Sequence, residues 1–176
     1  MCIRDSVTTE DLVQTKKVTF YSEGKEMTYN TAEVFADDTR RQNVENLQVG
    51  DVFFYSLNQQ DQIDNVQVLK NVKNNPVYGV EEDDGQKIYG RIVDIEYNEL
   101  NMQEYRRVHR VTLETNQSGS QTQTVDINAR NTPYIYQYDT STKEVSVIDI
   151  YDITAGLDDE MFVYDDDGIK AVVVVK

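Results

Sequence analysis

Residues Ala171 to Val175 are apolar without interruption and follow the turn Asp165-Asp-Asp-Gly168, which Met161-Phe-Val-Tyr164 precedes. β-branched and aromatic residues favour extended backbone, and Asp and Gly favour turns, so residues 159–176 read as a β-hairpin. Successive side chains of a strand face opposite sides. A strand that is apolar at every position therefore needs both faces covered. Left as an open edge it would template aggregation, so the expected solutions are a small closed barrel or pairing between modules or subunits.

The same design occurs earlier, in residues 50–70. With Phe53 and Tyr55 set against Phe162 and Tyr164, the residues Ile63, Val66, Val68 and Lys70 fall on Ile169, Val172, Val174 and Lys176 once three loop residues are removed. Upstream, Val18-Thr-Phe20 matches Val111-Thr-Leu113, and Asn30-Thr-Ala-Glu-Val-Phe35 matches Asn131-Thr-Pro-Tyr-Ile-Tyr136. Strand patterns are permissive, so chance similarity is the competing explanation. Correspondences that recur in the same order favour duplication. The expected fold is all-β: two tandem small β-barrel-like modules related by internal duplication, with few or no helices. Asn74-Asn-Pro76 breaks the pattern, which places a first module at 17–75 and a second at 76–176. Residues 1–16 are a polar lead-in. Its start, Met1-Cys-Ile-Arg-Asp-Ser6, resembles the translated sequencing-adapter scar of metagenomic reading frames and is set aside from the fold. On that reading the first module is truncated at its N-terminus.

Composition narrows the partners. The 176 residues carry a formal net charge of -15, with 32 acidic and 17 basic side chains. Nucleic-acid affinity comes largely from cations that displace condensed counterions, so nucleic acid is not an expected partner. Cys2 is the single cysteine, which excludes an internal disulfide framework and a cysteine-rich zinc site. No apolar run approaches the roughly 20 residues that a membrane-spanning helix needs, so no transmembrane segment is expected.

Catalytic signals are weak and no enzymatic activity is expected. His109 is the only histidine, and a zinc site or a cysteine–histidine dyad needs a second such ligand. It lies in the basic cluster Arg106-Arg-Val-His-Arg110. Arg106, Arg107 and Arg110 read either as cations offsetting neighbouring carboxylates or as a docking spot for an anionic polymer such as wall phosphate or acidic glycan. Acidic clusters occur at Asp37-Asp38, at Glu81-Glu-Asp-Asp84, at Asp158-Asp159-Glu160 and at Asp165-Asp166-Asp167. Adjacent carboxylates on turns suit calcium, which takes six to eight oxygen ligands in general, although none of these runs matches an EF-hand. Asp158, Asp159, Asp165, Asp166 and Asp167 are the calcium candidates, against the plain alternative that Asp and Gly make good turns. A glycosidase pair needs two carboxyl groups at a set separation, which the order of residues does not supply. Tyr134, Tyr136 and Tyr138 stand at alternate positions of one strand and so share a face. They are candidates for stacking on sugar, or for packing against a neighbouring module.

Tyr89-Gly-Arg-Ile-Val-Asp94, Asp152-Ile153 and the segment Met161 to Val174 together resemble the β-rich repeats of clostridial and related Firmicute surface proteins that accompany S-layer homology domains. The resemblance covers residues 77–176 and, more faintly, 17–70, and no wall-anchoring S-layer homology repeat lies within this sequence. It implies an extracellular, cell-surface module that acts as a spacer or assembly surface. Its partners would be other domains of the same surface protein, further copies of itself or a cell-wall polymer. The alternatives are a carbohydrate-binding module of a secreted protein and a structural protein of a virion or tail.

Overall fold

A computed structural model of the chain describes residues 2–8, 16–72, 85–100, 106–115, 121–128 and 134–176, leaving aside the side chains of residues 2–8, 98–100 and 106–108. Among the described residues the chain is all-β apart from one helix and one short 3-10 turn. It divides into two compact units, each built on its own sheet.

The first unit contains β1 (Cys2–Thr8), β2 (Lys17–Ser22), β3 (Lys25–Asn30), α1 (Asp38–Glu45), β4 (Val52–Leu57) and β5 (Ile63–Lys70). Its sheet runs β3-β2-β1-β4-β5, antiparallel throughout. Cys2–Thr8, of which the residues up to Ser6 are set aside on sequence grounds, supplies the middle strand. Alternation puts Val18 and Phe20 of β2 on the inner face, where they meet Phe53, Ile63 and Val66. The Phe20 ring lies edge-on to Phe53 at 5.6 Å and tilted on Tyr55 at 4.9 Å, the offset geometry that ring quadrupoles favour. Asp37 caps α1 by accepting from the Arg40 N–H at 2.8 Å, and the helix contributes Val44 to the same core.

The second unit contains β6 (Gln86–Leu100), β7 (Arg106–Glu114), β8 (Thr122–Asn128), β9 (Ile135–Asp139), β10 (Glu144–Ile148), a 3-10 turn (Ile150–Asp152), β11 (Glu160–Asp165) and β12 (Ile169–Val175). The sheet order is β10-β9-β12-β11-β6-β7-β8. β12 pairs antiparallel with β11 and parallel with β9, so both its edges are occupied from Val172 to Val175. Every residue from Ala171 to Val175 is buried, as the uninterrupted apolar run requires. Val172 and Val174 enter the core beside Ile88, Val111, Val125 and Met161. On the opposite face Val173 lies between Phe162 and Tyr136. The turn before β12 is made by its own residues: Asp165 Oδ1 accepts from the Gly168 N–H at 2.9 Å, and Gly168 takes a φ of +106° that a side chain would strain.

Neither sheet closes into the expected barrel among the described residues. In the second unit β9 occupies the edge of β12 that β8 would have to reach. In the first, one isolated parallel bridge, Thr31 to Ile63, joins the residue after β3 to β5, and the chain then turns away toward α1.

The five strands β3-β2-β1-β4-β5 and the five strands β8-β7-β6-β11-β12 have the same order, chain sequence and antiparallel directions. A bulge interrupts both at one place: Arg4 faces Phe20 and Ser6 faces Thr19, while Ile92 faces Leu113 and Asp94 faces Thr112. The hairpin alignment needs a correction of one residue. Phe53 and Tyr55 face Val68 and Val66, and it is Met161 and Val163 that face Val174 and Val172. Phe162 and Tyr164 point to the other side, because a slip of one residue exchanges the faces.

Candidate functional site

β8 reads Thr-Gln-Thr-Val-Asp-Ile-Asn, and the alternation sends Val125 and Ile127 into the core while Thr124 and Asp126 face solvent. Opposite Asp126 on β7 stands Arg110, and opposite Arg110 on β6 stands Glu96. The guanidinium grips Asp126 with both arms, Nε to Oδ1 at 2.8 Å and Nη2 to Oδ2 at 2.9 Å. Those hydrogen bonds hold the Asp126 carboxyl below the usual carboxylate range. A groove of about 460 Å³ is bounded by β8, the start of β6 and the β11–β12 turn. Ile88, Val125 and Ile169 give it apolar lining, and Gln123, Asp126 and Asp165 give it polar groups. An apolar floor with a few convergent polar groups is the general form of a binding site.

The sequence candidates lie apart from one another or are engaged locally. Arg110 carries the ion pair just described; the side chains of Arg106 and Arg107 lie outside the described residues. Asp159 Oδ2 accepts from the Gly156 N–H at 3.0 Å and from the Thr154 hydroxyl at 3.1 Å. Asp165 closes its turn, with Asp166 and Asp167 exposed beyond it, and Asp158 is likewise exposed. Among the described residues no three acidic, histidine or cysteine side chains converge in a way that would hold a metal ion. The Glu81-to-Asp84 cluster lies outside the described residues. Tyr134 is half exposed, whereas Tyr136 and Tyr138 are each 4% exposed. The packing role, not a three-ring platform, is therefore what the last two tyrosines take.

His109 is buried at 2% exposure, with Nδ1 3.1 Å from the Ile150 carbonyl oxygen and its ring edge-on to Tyr97 and Tyr151. It pins the 3-10 turn to β7. Asp51 is a buried carboxylate that sequence reasoning missed. It accepts from the Gln48 N–H at 2.8 Å and the Val72 N–H at 2.7 Å, joining the approach to β4 to the exit from β5. The groove was missed as well, because its walls come from three separate stretches of sequence. Among the described residues no helix is long and apolar enough to cross a membrane. No protein family, curated protein or solved structure matches the chain.

Proposed function

We propose that the chain is a non-enzymatic structural and interaction module of a bacterial cell-surface protein, a spacer and assembly surface built from two copies of one five-stranded β unit. The observation that carries this reading is the common strand order, direction and bulge position of the two sheets. Serial repetition of a small β unit lengthens a chain and multiplies its surface without requiring a reaction centre, as repeat architectures do in general. Two further features support it. Asp159 and Asp165 serve their own turns, and Tyr136 and Tyr138 serve packing. The surface location rests on the resemblance carried by residues 77–176.

The test is sedimentation velocity over a hundredfold concentration range, with co-sedimentation against purified cell-wall fragments. Concentration-dependent association or retention on the wall is the expected result. A strictly monomeric chain that no wall fragment retains would remove the assembly role. Turnover of a glycoside substrate that disappears on substituting a single carboxylate would replace the reading with an enzymatic one.

A further inference from the structure

β8 is the outer strand of its sheet, paired with β7 along one edge and, among the described residues, with no other strand. Consecutive residues Gln123, Thr124, Val125 and Asp126 all line the groove. Neighbouring side chains of a strand point to opposite faces, so a wall made from consecutive positions follows the strand's edge and not one of its faces. Half of an outer strand's backbone N–H and C=O groups have no ladder partner on that side. Across the groove stand Ile169 and Asp165 of the β11–β12 hairpin.

We propose that this groove docks an extended polypeptide segment that adds to β8 as a further strand and alternates apolar with basic residues. The inward row of such a segment would meet Val125, part of the core, and Ile169, half-buried against it. Its outward row would meet Asp126, exposed on the far side of β8, in a chain of net charge -15. Arg110 holds Asp126 in the free protein, and Glu96 opposite Arg110 offers that guanidinium a second carboxylate when a ligand lysine competes. Backbone pairing supplies affinity and the alternating side chains supply selectivity, the usual division in strand addition. β8 has seven residues, so the matching segment spans about 23 Å at the general rise of about 3.3 Å per residue.

This inference deepens the assembly reading by naming an edge and a chemistry. The probe is a fluorescein-labelled octapeptide of alternating valine and lysine, titrated with the full chain at low salt and followed by anisotropy. Saturable binding is expected, with slowed amide exchange confined to residues 122–128. The double substitution Asp126→Lys with Asp165→Lys should weaken binding at least about tenfold, while Glu26→Lys with Glu33→Lys, equal in charge change, should weaken it by less than about threefold. The same octapeptide N-methylated at every amide should lose binding to the unaltered protein, a comparison that does not depend on any variant folding. Equal binding of the methylated peptide, exchange protection elsewhere, or no binding would overturn the proposal. Protection of residues 122–128 by a neutral oligosaccharide but not by the peptide would assign the groove to sugar. Self-association without peptide binding sinks this inference and leaves the assembly reading standing; peptide binding to a chain that neither self-associates nor binds wall fragments does the reverse.

Discussion

Asp51 shows how one side chain fastens the ends of a hairpin. Its carboxylate takes the N–H groups of Gln48 and Val72, 21 residues apart from the latter in sequence, and is 4% exposed. Replacing it with alanine removes the acceptor of two part-buried N–H groups, and hydrogen bonds to charged groups contribute about 1.5–3 kcal/mol each. Asp51→Ala should therefore destabilise the protein by about 3 kcal/mol in urea unfolding, and Asp51→Asn by less. Tyr89 carries a pH dependence. Burial, and then the hydrogen bond it donates to Glu160 and that carboxylate's charge, push its phenol well above the usual range. A folded-state pKa above the unfolded one means that the stabilisation is complete below the unfolded value of about 10 and is lost as pH rises beyond it. Stability should fall above about pH 10 in the parent and fall less steeply in Tyr89→Phe, measured by urea midpoint against pH. Asp126 acts at the other end. Its depressed pKa contributes stability above the unfolded value of about 3.9 that is lost as pH falls through the lower folded value. Because the pair is solvent-exposed, that contribution is below about 1 kcal/mol. Neither Asp51 nor Tyr89 announces its partner in the sequence, since Gln48 and Val72 contribute only backbone and Glu160 lies 71 residues from Tyr89.

At the scale of elements, what was legible was whatever gathers strand-forming residues between turns, whether alternating or uninterrupted. The runs at 17–22, 52–57, 63–70, 160–165 and 169–175 are strands because branched and aromatic residues cluster there between turn residues. β1 was illegible for a physical reason: Arg4-Asp-Ser6 is polar, and a middle strand is identified by pairing, which composition does not encode. The one-residue slip between Phe53 and Phe162 has a related origin, because aromatic residues sit on opposite faces of β4 and β11 and mislead an alignment by residue type. Gly90 on β6 is a stringent position. A Cβ there would lie 2.4 Å from the Glu114 carbonyl oxygen and 2.8 Å from its carbon, both main-chain atoms of β7. Backbone has little freedom to retreat, so Gly90→Ala should cost about 1–3 kcal/mol and loosen the β6–β7 end, visible as faster amide exchange around Glu114. Gly168 differs. An added Cβ meets nothing within 4 Å, so Gly168→Ala bears only the cost of its φ of +106°, about 1 kcal/mol.

Across the whole molecule, the excess of carboxylates sets the electrostatic terms. A net charge of -15 on 176 residues is a like-charge field that folding concentrates, and the compact state suffers from it more than the expanded one. Local pairs such as Arg110 with Asp126 and Arg91 with Glu114 neutralise individual carboxylates, but 32 acidic side chains against 17 basic ones leave most of the field intact. Salt shortens the reach of that repulsion from about 30 Å at 0.01 M to about 3 Å at 1 M. Two opposing effects then compete, since salt also weakens the exposed ion pairs, each worth less than about 1 kcal/mol. The repulsion, summed over the unmatched charges, is the larger. Raising sodium chloride from about 0.01 M to about 0.5 M should therefore increase the melting temperature by several degrees, measured by circular dichroism at neutral pH. The charge-raising double substitution Glu26→Lys with Glu33→Lys should reduce that increment, because it removes four units of net negative charge without touching the cores. A melting temperature that falls with salt in both proteins would mean that the ion pairs, not the unmatched carboxylates, govern the electrostatics of this fold.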